Sequence, residues 1–279
     1  MTTHSRDRIR RSGRLLLVAW IGVLSLFVPT VAHAIVYGEE TEVGEYANVG
    51  SFVMLYDPGT GGATYPVQLC TGTLISPTVV LSAAHCLQRD ELPAAYLGDP
   101  WFTLDPVIDA DGNWTVDPGV TRLEGVAHPH PQYAAGHNYQ YDVGVFVLDI
   151  AVTGVAPATL ARVGDLNDRA MRGARFTAVG YGIVRETNKK SSQSFRPPQR
   201  RMKASQTLLT TNRDFAFFSM NLATGNGGTC YGDSGGPHFA ANGDIVSITT
   251  TGDIPCKASD KSFRVDTWTA QDFLRTYLD

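Results

Sequence analysis

Thr229-Cys230-Tyr231-Gly232-Asp233-Ser234-Gly235-Gly236-Pro237 is the stretch of this 279-residue chain best equipped for chemistry. Glycines crowded around one hydroxyl let the backbone turn tightly and bring its N–H groups close to a bound molecule. A carbonyl approaching Ser234 would meet the amides of Gly232 and Ser234 as its oxygen becomes negative. The plainer reading is a glycine-rich hairpin turn with an incidental serine. A serine hydroxyl attacks only when a base takes its proton, and histidine is the usual base near neutral pH. Of the seven histidines, His4 and His33 fall in a leader-like segment, and His238 follows Ser234 too closely to fold back. His128, His130 and His137 sit among Pro, Gly, Asn and Tyr, as on a surface loop. His85 differs, because it ends the run Val79-Val80-Leu81-Ser82-Ala83-Ala84 and is followed by Cys86. Alone it would read as a satisfied core histidine. The third member of such a constellation is a buried carboxylate that holds one imidazole tautomer. Asp142 precedes the apolar run 143–148, which has the pattern of a buried strand. Asp149, at the far end of that run, reads as a solvated strand terminus.

Three motifs then occur in the order His, Asp, Ser. They are Gly72-Thr73-Leu74-Ile75-Ser76 leading to Leu81-Ser82-Ala83-Ala84-His85-Cys86, then Asp142-Val143-Gly144-Val145, then Gly232-Asp233-Ser234-Gly235-Gly236-Pro237. Together they resemble the chymotrypsin/trypsin family of serine endopeptidases over nearly all of the chain after residue 34. The resemblance implies His85 as general base, Asp142 as its orienter, Ser234 as nucleophile, and an oxyanion hole from the N–H groups of Gly232 and Ser234. It implies an all-β fold of two six-stranded antiparallel β-barrels, spanning 35–155 and 156–279, with a C-terminal α-helix. Gly232-Asp233-Ser234-Gly235-Gly236 also fits the G-x-S-x-G elbow of α/β-hydrolases. That fold needs its acid and histidine after the serine, where only His238 stands.

By the same resemblance, Gly228 sits at the bottom of the pocket for the substrate side chain, where trypsin-like members carry an acid. Thr229 lines that pocket, Ser247-Ile248-Thr249 matches the strand that pairs with the substrate backbone, and Thr249 narrows the entrance. A buried Arg or Lys would be unpaired there, so small or medium uncharged side chains are expected. Asp260 complicates this, since some relatives place a charge-reading acid in that stretch. A surface ion pair with Lys261 is the alternative.

The chain is 43% hydrophobic and 18% charged, with 28 Gly, 15 Pro and a net charge of −4. That suits a turn-rich β protein and favours neither nucleic acid nor a membrane surface. Short apolar runs separated by turn signals point to a barrel or sandwich, and 267–278 carries Trp268, Phe273, Leu274 and Tyr277 at helical spacing. Four cysteines suggest two disulfides in an exported protein, with three pairings open. The resemblance selects Cys70–Cys86 and Cys230–Cys256. A zinc site competes weakly, for the spacings lack C-x-x-C.

Residues 1–34 read as an export signal, with Arg6, Arg8, Arg10, Arg11 and Arg14 before an apolar stretch and Ala32-His33-Ala34 as cleavage site. An uncleaved anchor is the alternative, and Arg10-Arg11 raises a twin-arginine route. Ile35-Val36-Tyr37-Gly38 follows. The resemblance implies that a free Ile35 ammonium inserts beside Asp233 and completes the oxyanion hole. With no room for a propeptide, signal cleavage itself is expected to give the active enzyme.

Thr187 to Lys203 reads as a solvated polar loop, Asp109-x-Asp111-Gly112-Asn113 as a turn more than a calcium loop, and Asn113-Trp114-Thr115 as a glycosylation sequon. No metal or organic cofactor is called for. The expected partners are protein or peptide substrates and protein protease inhibitors, for a secreted monomer without nucleic-acid or stable membrane association. A catalytically silent homologue acting as a binding protein is the reading from another class.

Overall fold

A computed structural model describes residues 1–2, 37–59, 61–134, 136, 138–185, 195–197 and 200–278. The chain divides into the units Met1–Val31 and Ala32–Asp279, and all elements named below belong to the second. The leader from residue 3 on, its cleavage site, Ile35, His137 and most of the polar stretch 187–199 lie outside the described residues.

A two-residue strand β1 (Glu39–Glu40) is followed by β2 (Val49–Tyr56), β3 (Tyr65–Ser76), β4 (Val79–Ser82), β5 (Tyr96–Thr103), β6 (Gly125–Pro129) and β7 (Gly144–Leu148). The last six form one antiparallel sheet in the order β5-β2-β3-β4-β7-β6. Phe102 and Leu123 exchange backbone hydrogen bonds of 2.9 and 2.8 Å, which brings the two edges together and nearly closes a barrel. Inside it pack Phe52, Phe102 and Phe146, with Phe52 set against both other rings at 4.9 and 5.4 Å.

Beyond residue 148 come β8 (Arg175–Gly180), β9 (Val184–Arg185), β10 (Phe195–Arg196), β11 (Met202–Thr211), β12 (Phe215–Ser219), β13 (Pro237–Phe239), β14 (Ile245–Gly252) and β15 (Ser259–Arg264). The pairings β8-β13-β14-β15-β12-β11 return to β8 and close a second six-stranded antiparallel barrel. Strand β1 adds to β11, so Glu39 and Glu40 pair with the second barrel and not the first. The short pair β9–β10 stands apart. Helix α1 (Ala84–Leu87) follows β4, and α2 (Trp268–Leu278) ends the chain. Thr267 Oγ1 accepts the Ala270 N–H at 3.2 Å and caps α2.

Three sequence expectations change, and one strand, Tyr96–Thr103, was not anticipated. It is a sheet edge whose register with β2 shifts near Pro100, the setting in which a strand tolerates proline. His130 is buried, sandwiched by Tyr141 and by Phe273 of α2 at 4.8 and 4.9 Å. Trp268 is largely exposed, with Arg275 over its ring, so α2 buries Ala270, Phe273 and Leu274 instead. Arg201, assigned to the solvated loop, is buried and donates to the carbonyl of Val49 at 2.9 Å. Asp109 does cap a turn, accepting the N–H groups of Gly112, Asn113 and Trp114.

Candidate active site

His85 lies on α1, just past β4, and Asp142 stands two residues before β7, the neighbour of β4. Adjacent strands of one barrel thus present the two side chains to each other. His85 Nδ1 is 2.9 and 3.0 Å from the two Asp142 oxygens, and the His85 backbone N–H reaches Oδ1 at 3.0 Å. The Asp142 carboxylate is fully buried, while the His85 side chain is 22% exposed. Burial pushes the imidazole pKa down, but the Asp142 charge and hydrogen bond outweigh it, with help from Glu91, and the net displacement is upward. One imidazole edge is thereby held inward and the other is left for solvent or substrate.

Ser234 comes from the second barrel. Its carbonyl accepts the Thr71 N–H at 2.8 Å, which locks its turn onto β3 of the first barrel. His85 and Ser234 line one cavity of about 260 Å³. Among the described residues no hydrogen bond joins them. Gly232 adopts φ +95°, a conformation that glycine enters without strain. Its carbonyl is fixed by Gln68 Nε2 at 2.8 Å and Thr71 Oγ1 at 2.9 Å. Among the described residues the N–H groups of Gly232 and Ser234 donate to no backbone carbonyl.

Asp233 points away from this cavity into the protein. Its oxygens accept the N–H groups of Gly182 at 2.7 Å and Cys230 at 2.8 Å. Burial pushes its pKa up to about 7; those two hydrogen bonds oppose the shift, and the charge of Asp260 adds to it. The Ile35 amine expected beside it lies outside the described residues.

The four cysteines form Cys70–Cys86, at the base of the His85 helix, and Cys230–Cys256, beside the Ser234 turn. Cys70, Cys86 and His85 come within metal-cluster distance, yet both sulfurs are consumed in the disulfide and offer no thiolate.

Of the residues assigned to the substrate pocket, Thr229 and Thr249 line the cavity. Gly228 is packed on Met220, whose Sδ stands 2.4 Å from where a Cβ at 228 would be. Ser247 and Ile248 are buried in β14 behind the wall. Sequence reasoning missed Gln68, Thr71, Gly180 and Gly182, which hold the serine turn, and Tyr139, which lines the cavity 6.1 Å from the His85 ring. Their partners are distant in sequence, and no local pattern marks them.

A family model described as Trypsin matches residues 42–274. Granzyme M of Rattus norvegicus is 26% identical over 193 residues, covering 65% of this chain and 68% of that one. Among solved structures, neuropsin, a serine protease expressed in the limbic system of mouse brain, superposes with a TM-score of 0.63 at 19% identity, covering 88% of this chain and all of its own. HL collagenase does so with a TM-score of 0.62 at 15% identity, over 88% and 98% of the two chains. At those identities the two structures speak for the fold alone.

Proposed function

Because this chain belongs to the trypsin family of serine endopeptidases, we propose that it cleaves peptide bonds with His85 as general base, Asp142 as its orienter and Ser234 as nucleophile. The observation that carries this reading is the 2.9 Å bridge from His85 Nδ1 to a buried carboxylate, beside a cavity that Ser234 shares. With Nδ1–H held by Asp142, Nε2 takes the Ser234 proton as Oγ bonds to the substrate carbonyl carbon. The carbonyl electron pair moves onto oxygen, which is met by the N–H groups of Gly232 and Ser234. The C–N bond then breaks, Nε2 passes its proton to the leaving amine, and an ester remains on Ser234. Water repeats the sequence, releasing the acid and restoring the hydroxyl.

Cleavage after Ala34 frees the Ile35 ammonium, which in this reading pairs with Asp233. A buried carboxyl whose pKa stands at about 7 is the kind of group that gains from such a cation. The pocket takes small or medium uncharged side chains, since Met220 fills the space at Gly228 and Thr229 and Thr249 narrow the remainder. Ser247 and Ile248 are paired on both sides, with β13 and β15, so the edge for the substrate backbone falls to the end of β14 that lines the cavity, Thr250, Thr251 and Gly252. The enzyme works as a secreted monomer on proteins or peptides and is open to protein inhibitors. No helix among the described residues is long and apolar enough to cross a membrane.

The test is labelling with a fluorophosphonate, which reacts only with an activated serine, in the parent protein and Ser234→Ala. Labelling of the parent alone supports the assignment, and an unlabelled parent refutes it. A set of peptide anilides ending in Arg, Phe, Leu and Ala reads the pocket, and Edman sequencing of the secreted form reads the N-terminus.

A further inference from the structure

Behind the substrate cavity lies a set of ionisable groups that the proton transfers at Ser234 do not use. Asp260 on β15 is fully buried, and its two oxygens accept hydrogen bonds from Thr229 Oγ1 and Ser262 Oγ. Thr229 is also part of the cavity wall, so a single hydroxyl separates this carboxylate from a bound side chain. His238 on β13 is equally buried. Its Nε2 is 3.6 Å from Asp260 Oδ2 and 2.8 Å from Gln206 Oε1, and its Nδ1 is 3.4 Å from Ser262 Oγ. The Phe218 ring lies flat on the imidazole at 4.3 Å.

The hydroxyl protons of Thr229 and Ser262 are both committed to Asp260. In a neutral His238, Nε2–H donates to Gln206, which leaves Nδ1 facing a hydroxyl oxygen with no proton to offer. The cluster therefore has room for one further proton, on Nδ1, which would then donate to Ser262. Taking it up sets an imidazolium beside the Asp260 carboxylate and cancels the charge behind Thr229. Burial pushes the His238 pKa down while Asp260 partly restores it, which puts the exchange on the acid side of neutrality. Asp233 is the other carboxylate acting on this cluster. The residues facing His238 from β8, β11, β12 and β14 are Ala178, Gln206, Phe218 and Ser247, and none of them titrates.

We propose that His238 and Asp260 form a proton-operated selector for the substrate side chain. With His238 neutral, the Asp260 charge acts through Thr229 and lowers the penalty against a cationic side chain. With His238 protonated, that charge is cancelled and cations are rejected. Uncharged side chains are indifferent to the switch. The inference rests on the pocket proposed above, and it makes His238 a specificity-determining residue placed out of contact with substrate.

The experiment compares kcat/KM for two peptide anilides that differ only in ending with Lys or Leu, from pH 5 to 8.5. Titration of His85 affects both and cancels in the ratio. The Lys-to-Leu ratio is expected to rise on the order of tenfold with pH along a one-proton curve, the effect of one partly screened charge several ångströms away. His238→Gln should hold the ratio high and flat, and Asp260→Asn should hold it low and flat. A second reading needs no turnover: calorimetric binding of benzamidine and of neutral benzamide to Ser234→Ala over the same pH range, with the same tenfold change in their ratio. A flat ratio in the parent protein, a rise that survives His238→Gln, or no benzamidine binding at any pH overturns the proposal. Failure of fluorophosphonate labelling strikes the proteolytic reading instead and leaves the binding measurement intact.

Discussion

Asp233 Oδ1 accepts the Gly182 N–H at 2.7 Å, and a Cβ at residue 182 would stand 2.3 Å from Oδ2 of the same carboxylate. Gly180 is as close, with 2.2 Å between its absent Cβ and Oδ1. The backbone at 180 and 182 thus forms a cradle that admits no Cβ at either position. Asp233 is joined by one peptide bond to Ser234, so whatever displaces the carboxylate also turns the nucleophile.

Gly182→Ala is accordingly expected to cost about 1–3 kcal/mol of stability, as overpacking of a tight interior does. Activity should fall further than stability explains, because the Ser234 turn moves with Asp233. Active-site titration with a fluorophosphonate on folded protein checks this. A fully titratable, fully active Gly182→Ala protein would show that the cradle does not govern the serine.

Asp233 also makes folding depend on pH. Its pKa of about 7 in the folded chain lies above the ordinary 3.8, so the folded state holds this proton more tightly than the unfolded one. That stabilisation is complete below pH 3.8 and is lost as pH rises through about 7, a difference of about 4 kcal/mol. Protein that retains residues before Ile35 should lose thermal stability across this window. A form beginning at Ile35 should lose less, since an ammonium beside the carboxylate favours its ionised state. Calorimetric melting of both forms from pH 4 to 8 decides, and identical slopes would count against the Ile35–Asp233 pairing.

The upward shift of His85 sets the acid limb of activity. The base must be neutral to take a proton, so kcat/KM should decline as pH falls through a value above the ordinary 6.5. Asp142→Asn keeps an oxygen for the His85 backbone N–H but favours the wrong tautomer. It should therefore fold while losing about four orders of magnitude in kcat, as in other enzymes with this triad. A drop smaller than tenfold would remove Asp142 from the assigned role.

The triad candidates and the cysteines were legible because each sits in a local motif whose residue types the chemistry requires, and because the motifs follow one another in a diagnostic order. The supporting residues were not legible. Gln68 and Gly232 are 164 residues apart, and Gly182 and Asp233 are 51 apart, so nothing near either partner in sequence announces the contact. His130 read as a loop residue because it lies between Pro129 and Pro131; its burial comes from Phe273 at the other end of the chain. His238 was set aside for being too near Ser234, which is correct for the triad and silent about Asp260 behind it. Strand β5 went unread because Gly98, Asp99 and Pro100 interrupt any apolar run there, and its pairing comes from β2, distant in sequence. In each case tertiary contact overrode the local pattern.

The segment leading into Asp142 carries stored backbone strain. Asn138, Tyr139 and Tyr141 have φ of 58°, 63° and 59°, in the left-handed region that costs non-glycine residues of order 1–3 kcal/mol each. Such a conformation persists only where its surroundings enforce it. Tyr141 is stacked on His130, and Lys261 from the second barrel donates to the Asn138 carbonyl at 3.1 Å with Tyr139 and Phe215 rings flanking its ammonium. Lys261→Met keeps the apolar stem and removes that grip. The segment is then free to relax, and with it the Tyr139 wall and the approach to Asp142. Since displacements near 1 Å at a catalytic group can cost up to about a hundredfold, kcat is expected to fall between tenfold and about a hundredfold with little change in melting temperature. Lys261→Arg, which keeps a donor and a cation over the same rings, should recover most of the loss. If Lys261→Met turns over substrate at the parent rate, the strained segment is held by His130 and Tyr141 alone.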